Sequence, residues 1–285
     1  MQTLTAPRTM QAWADGEHAA GRRIALVPTM GALHEGHMAL VAEARRHADR
    51  VVVSIFVNPI QFNRRDDFEK YPRDLATDAA LCEAGGVDAI YAPHPAAMYP
   101  EGFQTSVDVA RLAEPLCGAN RPGHFRGVTT VVTKLFHAVR PDVAVFGEKD
   151  FQQLAIVRRM TADLDFGIEI VGLPTVREAD GLALSSRNRL LDGEGRQAAV
   201  CVPRALDAAE AAVRRGERRA AAVVAAACAV IQDEPRARLE YAELRNPETL
   251  DEVEEVGAPT LLALAVWVGS VRLIDNRVLL PGRLV

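Results

Sequence analysis

Positive charge is in short supply in this 285-residue chain. Its 33 lysines and arginines are outnumbered by 38 aspartates and glutamates, for a formal net charge of −5. A field of that sign does not gather nucleic acid, so no nucleic-acid partner is expected. Cysteine is scarce and scattered. Cys82, Cys117, Cys201 and Cys228 make no CxxC spacing, which argues against a zinc site and against a disulfide framework. Long apolar runs are missing too: the longest alanine-rich one, residues 220–231, has 12 residues, too few to span a bilayer. No membrane partner is expected. Residues Met1 to Thr5 lack a basic segment leading into an apolar core, so no signal peptide is expected either. GxGxxG and GxxxxGK(S/T) are both absent, which disfavours a dinucleotide site and a P-loop. By exclusion the chain reads as a cytoplasmic enzyme or binding protein.

What remains is an ordinary globular composition, 49% hydrophobic and 25% charged, in a chain long enough for two domains. Apolar runs at 24–27, 51–57, 88–91, 143–146 and 168–171 read as strands. Helical patterns at 38–47, 74–84, 128–139 and 151–164 alternate with them. That alternation predicts right-handed crossovers and a mainly parallel sheet covered by helices on both faces, an α/β fold. Several strands are almost wholly apolar, as burial on both faces requires. After about Pro174 the pattern changes. Residues 193–232 read as two helices punctuated by Pro203 and Gly216, and strand-like runs follow at 239–244, 261–268 and 271–274. We therefore expect a domain over 1–175 and a smaller α+β domain over 176–285.

The most informative stretch is Pro28-Thr29-Met30-Gly31-Ala32-Leu33-His34-Glu35-Gly36-His37. It joins a strand to a helix, at the end of the sheet where ligands usually bind. Free backbone N–H groups and the positive dipole end at the helix start suit phosphate. Gly31 and Gly36 allow close backbone approach, and His34 and His37, three apart, can face one ligand. The plainer alternatives are a metal pair, for which no Cys or third His follows at a ligand-like spacing, and a helix-capping or partly buried structural role; function is favoured over structure.

Three further junctions add to this. In Phe56-Val57-Asn58-Pro59-Ile60-Gln61-Phe62 the two amides suit a substrate with hydroxyl and carboxylate groups; the plain alternative is an Asn-Pro turn. In Phe146-Gly147-Glu148-Lys149-Asp150-Phe151-Gln152-Gln153 the lysine sets a point charge beside a helix start, Asp150 fits an N-cap and Gln153 lies one turn in. Asp180-Gly181-Leu182-Ala183-Leu184-Ser185-Ser186-Arg187-Asn188 offers hydroxyls and an arginine for a polyphosphate. Arg121, His124 and Arg126 either attract an anion or decorate a solvated loop, and Cys117 reads as structural.

Together PTMGALHEGH (28–37), FVNPIQF (56–62), RPGHFRG (121–127), FGEKDFQQL (146–154), DGLALSSRN (180–188) and RLIDN (272–276) resemble the pantoate–β-alanine ligase family. The HxGH element alone marks only the wider nucleotidyltransferase superfamily. The resemblance implies a Rossmann-like N-terminal domain, a smaller C-terminal domain and a homodimer. It implies ATP-dependent condensation of (R)-pantoate with β-alanine to pantothenate, AMP and pyrophosphate through a pantoyl adenylate, with Mg²⁺ accompanying ATP. Carried onto this chain, it assigns ATP contacts to Met30, Gly31, Ala32, Leu33, His34, Glu35, Gly36 and His37, to Gly147, Glu148, Lys149 and Asp150, and to Val176, Leu184, Ser185, Ser186 and Arg187. Gln61 and Gln153 would hold pantoate, and Gln61 would also help place β-alanine. His37 would be a proton donor, with His34 and Lys149 on the phosphates; no metal ligand is assigned. The rival readings are another HxGH adenylyltransferase and a catalytically silent nucleotide-binding module.

Overall fold

The computed structural model describes residues 1–63, 68–69 and 71–280. By their internal contacts the residues fall into two compact units: 1–148 with 153–174, and 149–152 with the chain from Thr175 onward.

The first unit is built on a six-stranded parallel sheet in the order β1-β4-β3-β2-β5-β6. Its strands are β1 (Gln2–Leu4), β2 (Ile24–Thr29), β3 (Arg50–Ile55), β4 (Ala89–Tyr91), β5 (Val143–Gly147) and β6 (Glu169–Leu173). Five main helices connect them: α1 (Pro7–Ala19), α2 (Glu35–His47), α3 (Leu75–Ala84), α4 (His124–Val139) and α5 (Phe151–Asp163). Ile24 to Val27 and Val51 to Val53 are buried, so a continuous apolar run is what the sheet's centre needs. Val27, Val41, Val53, Ile90 and Val145 share one core cluster under α2 and α3.

The chain leaves β2 toward β3 and β4 on one side and later returns as β5 on the other, so β2 and β5 flank the topological switch point. β2 pairs with β5 only at Ala25 and Leu26. Pro28, with no N–H to give, follows where that pairing stops. The segments after Thr29 and after Phe146 therefore emerge at the position where open α/β sheets bind ligands.

Several boundaries move from expectation. α2 begins at Glu35 rather than residue 38, because His34 caps it. α4 begins at His124 rather than 128, behind Gly123 in the left-handed region at φ 78°.

In the second unit three helices stand where two were expected: α6 (Gly193–Ala198), α7 (Cys201–Arg214) and α8 (Ala220–Gln232). Pro203 does not break a helix. It sits in the first turn of α7, where its missing N–H costs nothing. Gly216, at φ 99°, separates α7 from α8. The strands β7 (Ala237–Arg245), β8 (Thr260–Val268) and β9 (Val271–Leu279) form an antiparallel sheet in that order. Leu206, Ala209 and Val213 of α7 share a buried cluster with Leu262, Leu264 and Val266 of β8. The α/β class with an added α+β part is thus as expected.

Candidate active site

The loop after β2 is held by its own hydrogen bonds. Gly31 adopts φ 81° and Ala32 φ 51°, and a Cβ at Gly31 would lie 2.8 Å from an Asp78 carboxylate oxygen. Asp78, on α3 and 2% exposed, accepts from the N–H of Ala32 at 3.0 Å and of Leu33 at 2.8 Å. Gly31 N–H donates to Thr29 Oγ1 at 3.1 Å. A buried carboxylate with two N–H partners is thus the clamp that forces a non-glycine residue into a left-handed turn. Asp78 was not singled out from the sequence, because an acid in a helix's first turn reads as a dipole partner.

At the start of α2 the two histidines cap the helix reciprocally. Gly36 N–H donates to His34 Nδ1 at 3.2 Å, and His34 N–H donates to His37 Nδ1 at 3.3 Å. A backbone N–H can only donate, so each Nδ1 is an acceptor. The neutral rings then carry their proton on Nε2. The ring centroids are 4.1 Å apart. Helix capping thus uses Nδ1 of each ring. The expectation of free backbone donors needs correction. The N–H groups of Gly31, Ala32, Leu33, His34 and Gly36 all have partners within the chain, so this loop does not present a row of free backbone N–H.

Asn58 and Gln61 lie at the turn after β3, both buried. Gln61 closes a 3-10 turn, Pro59–Gln61, that packs directly on the backbone of α4. A Cβ at Gly127 would come within 2.6 Å of the Ile60 carbonyl and 2.7 Å of Gln61 Cα, so only glycine permits this approach. His124 Nδ1 donates to the Gln61 carbonyl at 2.8 Å, and Arg121 Nη2 reaches the same oxygen at 3.4 Å. Arg126 pairs with Asp108 at 3.1 Å. The basic loop thus braces Gln61. Gln61 Nε2 lies 3.1 Å from the Met30 thioether, which brings the predicted acid-binding glutamine and the first residue of the histidine loop together.

β5 ends at Gly147, and a 3-10 turn, Glu148–Asp150, carries the chain into α5. Lys149 is largely covered and has Asp150 Oδ2 at 3.7 Å, so Asp150 acts as an ion-pair partner. Gln153 is the third residue of α5 and half-buried. In the second unit Asn276 Nδ2 donates to the Lys149 carbonyl at 2.9 Å, while its neighbour Asp275 takes Arg177 in a two-pronged pair at 2.7 and 2.9 Å. These two bonds give the RLIDN segment its physical role. Arg177 is bridged to Ala183, and Leu184 N–H donates to the Val176 carbonyl at 2.9 Å. The 176–184 segment is therefore a tight hairpin that joins the predicted contacts Val176 and Leu184. Ser185 Oγ then caps the turn Ser186–Leu190 by accepting from Arg187 N–H at 3.3 Å, and Asn188 ties that turn to Glu178 at 2.9 Å. The structure thus brings Met30 next to Gln61 and His34 next to His37 in the first unit, and Val176 next to Leu184 and Ser185 next to Arg187 in the second.

Among the described residues no three His, Cys, Asp or Glu side chains gather into a cation site, and no helix is long and apolar enough to cross a membrane. Cys82, Cys117 and Cys201 are buried. Burial and the nearby Asp78 charge push the Cys82 thiol up to about 11, so it is no nucleophile.

The profile described as pantoate-beta-alanine ligase matches residues 2–278. Pantothenate synthetase of Geobacter sulfurreducens is 52% identical over 279 residues, 98% of this chain and 99% of its own. That of Citrifermentans bemidjiense is 56% identical over 256 residues, 90% and 92% of the two chains. The Thermus thermophilus pantothenate synthetase crystal structure superposes with a TM-score of 0.93 at 45% identity, covering 99% of this chain and 100% of that one. A Francisella tularensis pantoate-beta-alanine ligase, solved with a β,γ-ATP ligand and β-alanine, gives 0.81 at 30% identity, covering 98% and 97%. With a family match over nearly its whole length and relatives above half identity over 90% or more of the chain, the chain belongs to the pantoate-beta-alanine ligase family.

Proposed function

We propose that this chain condenses pantoate with β-alanine at the expense of ATP, through a pantoyl adenylate. The observation that carries the reading is the histidine pair at the sheet's switch point, each ring with Nδ1 accepting from a backbone N–H and so carrying its proton on Nε2. A carboxylate does not form an amide readily, because oxide is a poor leaving group. In the first step a pantoate carboxylate oxygen attacks the α-phosphorus of ATP. The bond to the bridging oxygen breaks and pyrophosphate departs with its electron pair. Charge gathers on the bridging and equatorial oxygens, and catalysis there is positional and electrostatic. His37 donates to those oxygens, with His34, Lys149 and Arg187 beside it on the phosphates. In the second step the neutral amine of β-alanine attacks the acyl carbon, AMP leaves and the amine's proton is lost to solvent.

Met30 to His37, Gly147 to Asp150, Val176 and Leu184 to Arg187 bind ATP in this reading. Gln61 and Gln153 hold pantoate, and Gln61 helps place β-alanine. The domain over 1–175 binds ATP and pantoate, and that over 176–285 closes over the nucleotide. Mg²⁺, when bound with ATP, would offset the charge that gathers on the phosphate oxygens, beside His34, His37, Lys149 and Arg187. The enzyme works as a cytoplasmic homodimer.

Isotope scrambling in ATP labelled at the α–β bridging oxygen tests the first step. With pantoate and no β-alanine, scrambling should proceed, and His37→Ala or Lys149→Ala should slow it by about 10²–10³. Scrambling only when β-alanine is present would rule out a separate adenylation step.

A further inference from the structure

Tyr99 and Asn58 have no role in the reading above, yet they decide which end of the Gln61 amide faces outward. One atom in their cluster has a fixed hydrogen-bonding sense: the Gly127 carbonyl can only accept. Asn58 meets it at 3.0 Å, so Asn58 turns Nδ2 toward Gly127 and leaves Oδ1 to face Tyr99. The Tyr99 hydroxyl therefore donates, at 2.7 Å. Its burial pushes the phenol well above its ordinary range, so that proton stays in place. The other Asn58 Nδ2 hydrogen meets Gln61 at 2.9 Å, and Gln61 answers with its oxygen, Oε1. Nε2 is then the end turned toward Met30, whose thioether at 3.1 Å is a weak acceptor. Each bond in the series dictates the sense of the next.

We propose that Tyr99 is a positioning residue that acts through Asn58 to make Gln61 a hydrogen-bond donor to the acid substrate. This side of the site thereby selects an acceptor oxygen, of a carboxylate or a hydroxyl, over a donor group. The proposal rests on Gln61 being a pantoate contact. Tyr99 packs its ring against Phe56 and Phe103, with centroids at 6.1 and 5.1 Å. Tyr99→Phe keeps that packing and removes only the hydroxyl. Asn58 then loses the partner that fixed it, and the Gln61 amide is free to turn over.

Steady-state kinetics with each substrate varied separately provide the test, on Tyr99→Phe, Asn58→Asp and Gln61→Ala. Asn58→Asp offers only acceptors, so Gln61 must turn Nε2 inward. Both Tyr99→Phe and Asn58→Asp should raise the KM for pantoate about tenfold, with the KM for ATP unchanged. The double variant Tyr99→Phe with Gln61→Ala should be no worse than Gln61→Ala alone, because Tyr99 acts only through that amide. Fully additive effects would mean a merely structural role and overturn the proposal, as would equal losses of ATP and pantoate affinity. Should Tyr99→Phe not fold, Asn58→Asp decides by the same criteria. If Gln61→Ala leaves the pantoate KM unchanged, the assignment of the acid site itself fails. If Gln61→Ala raises it while Tyr99→Phe and Asn58→Asp do not, the acid site stands and the relay is refuted.

Discussion

Asp78 shows how much a residue outside the recognised motifs can matter. Its carboxylate holds Ala32 and Leu33 in a turn that a non-glycine residue resists, and His34 follows directly. Asp78→Ala should leave two buried N–H groups without a partner, at about 1–3 kcal/mol each. By shifting the histidines it should also slow pantoate-dependent pyrophosphate release about a hundredfold. Thermal unfolding and that rate, measured together, decide the matter; a variant that is destabilised yet turns over normally would make Asp78 a purely structural clamp. The turn that carries Gln61 is legible in the sequence because its motif follows a strand end, and the burial of the amide adds to the proposal of a polar ligand there. For Asn58 the sequence offers both a substrate contact and an Asn-Pro turn, and in the fold its hydrogen bonds go to Tyr99, Gly127 and Gln61. Nothing in the order of residues indicates that Tyr99, 41 positions away, supplies one of them.

Among the elements, those made of apolar runs were legible and those made of edges were not. β2 and β3 declare themselves because both faces are buried. β1 has three residues, none of them fully buried, and finds its place only by pairing with Ala89 to Tyr91. α1 buries just Met10 and Ala14, too little to write a helical stripe. The split of α6 from α7 was also hidden, since Pro203 suggested a break that lies instead between Ala198 and Cys201. In the second unit the 176–184 hairpin depends on one buried acid on β9. Hydrogen bonding to Asp275 raises the Arg177 pKa further, against its own burial, so the guanidinium keeps its charge. Asp275→Ala strands the guanidinium and should cost about 3–5 kcal/mol in urea unfolding. It should also raise the KM for ATP more than that for pantoate, because Leu184 to Arg187 lie at the end of this hairpin. A larger effect on pantoate would contradict the nucleotide role given to that segment.

The molecule as a whole is expected to act in pairs. Sedimentation equilibrium should return twice the 30.9 kDa chain mass, and a single-chain mass would remove the homodimer from the proposal. The order of strands has a consequence for how the chain is made. On a ribosome the N-terminus emerges first, yet β1 must wait for Ala89 to Tyr91, and β2 for Val143 and Ala144. Until those residues appear, one side of Ile24 to Val27 is a bare apolar strand with no partner, the kind of surface that recruits chaperones or sticks to a neighbouring nascent chain. The strand that ends in the histidine loop is thus among the first synthesised and among the last to be enclosed.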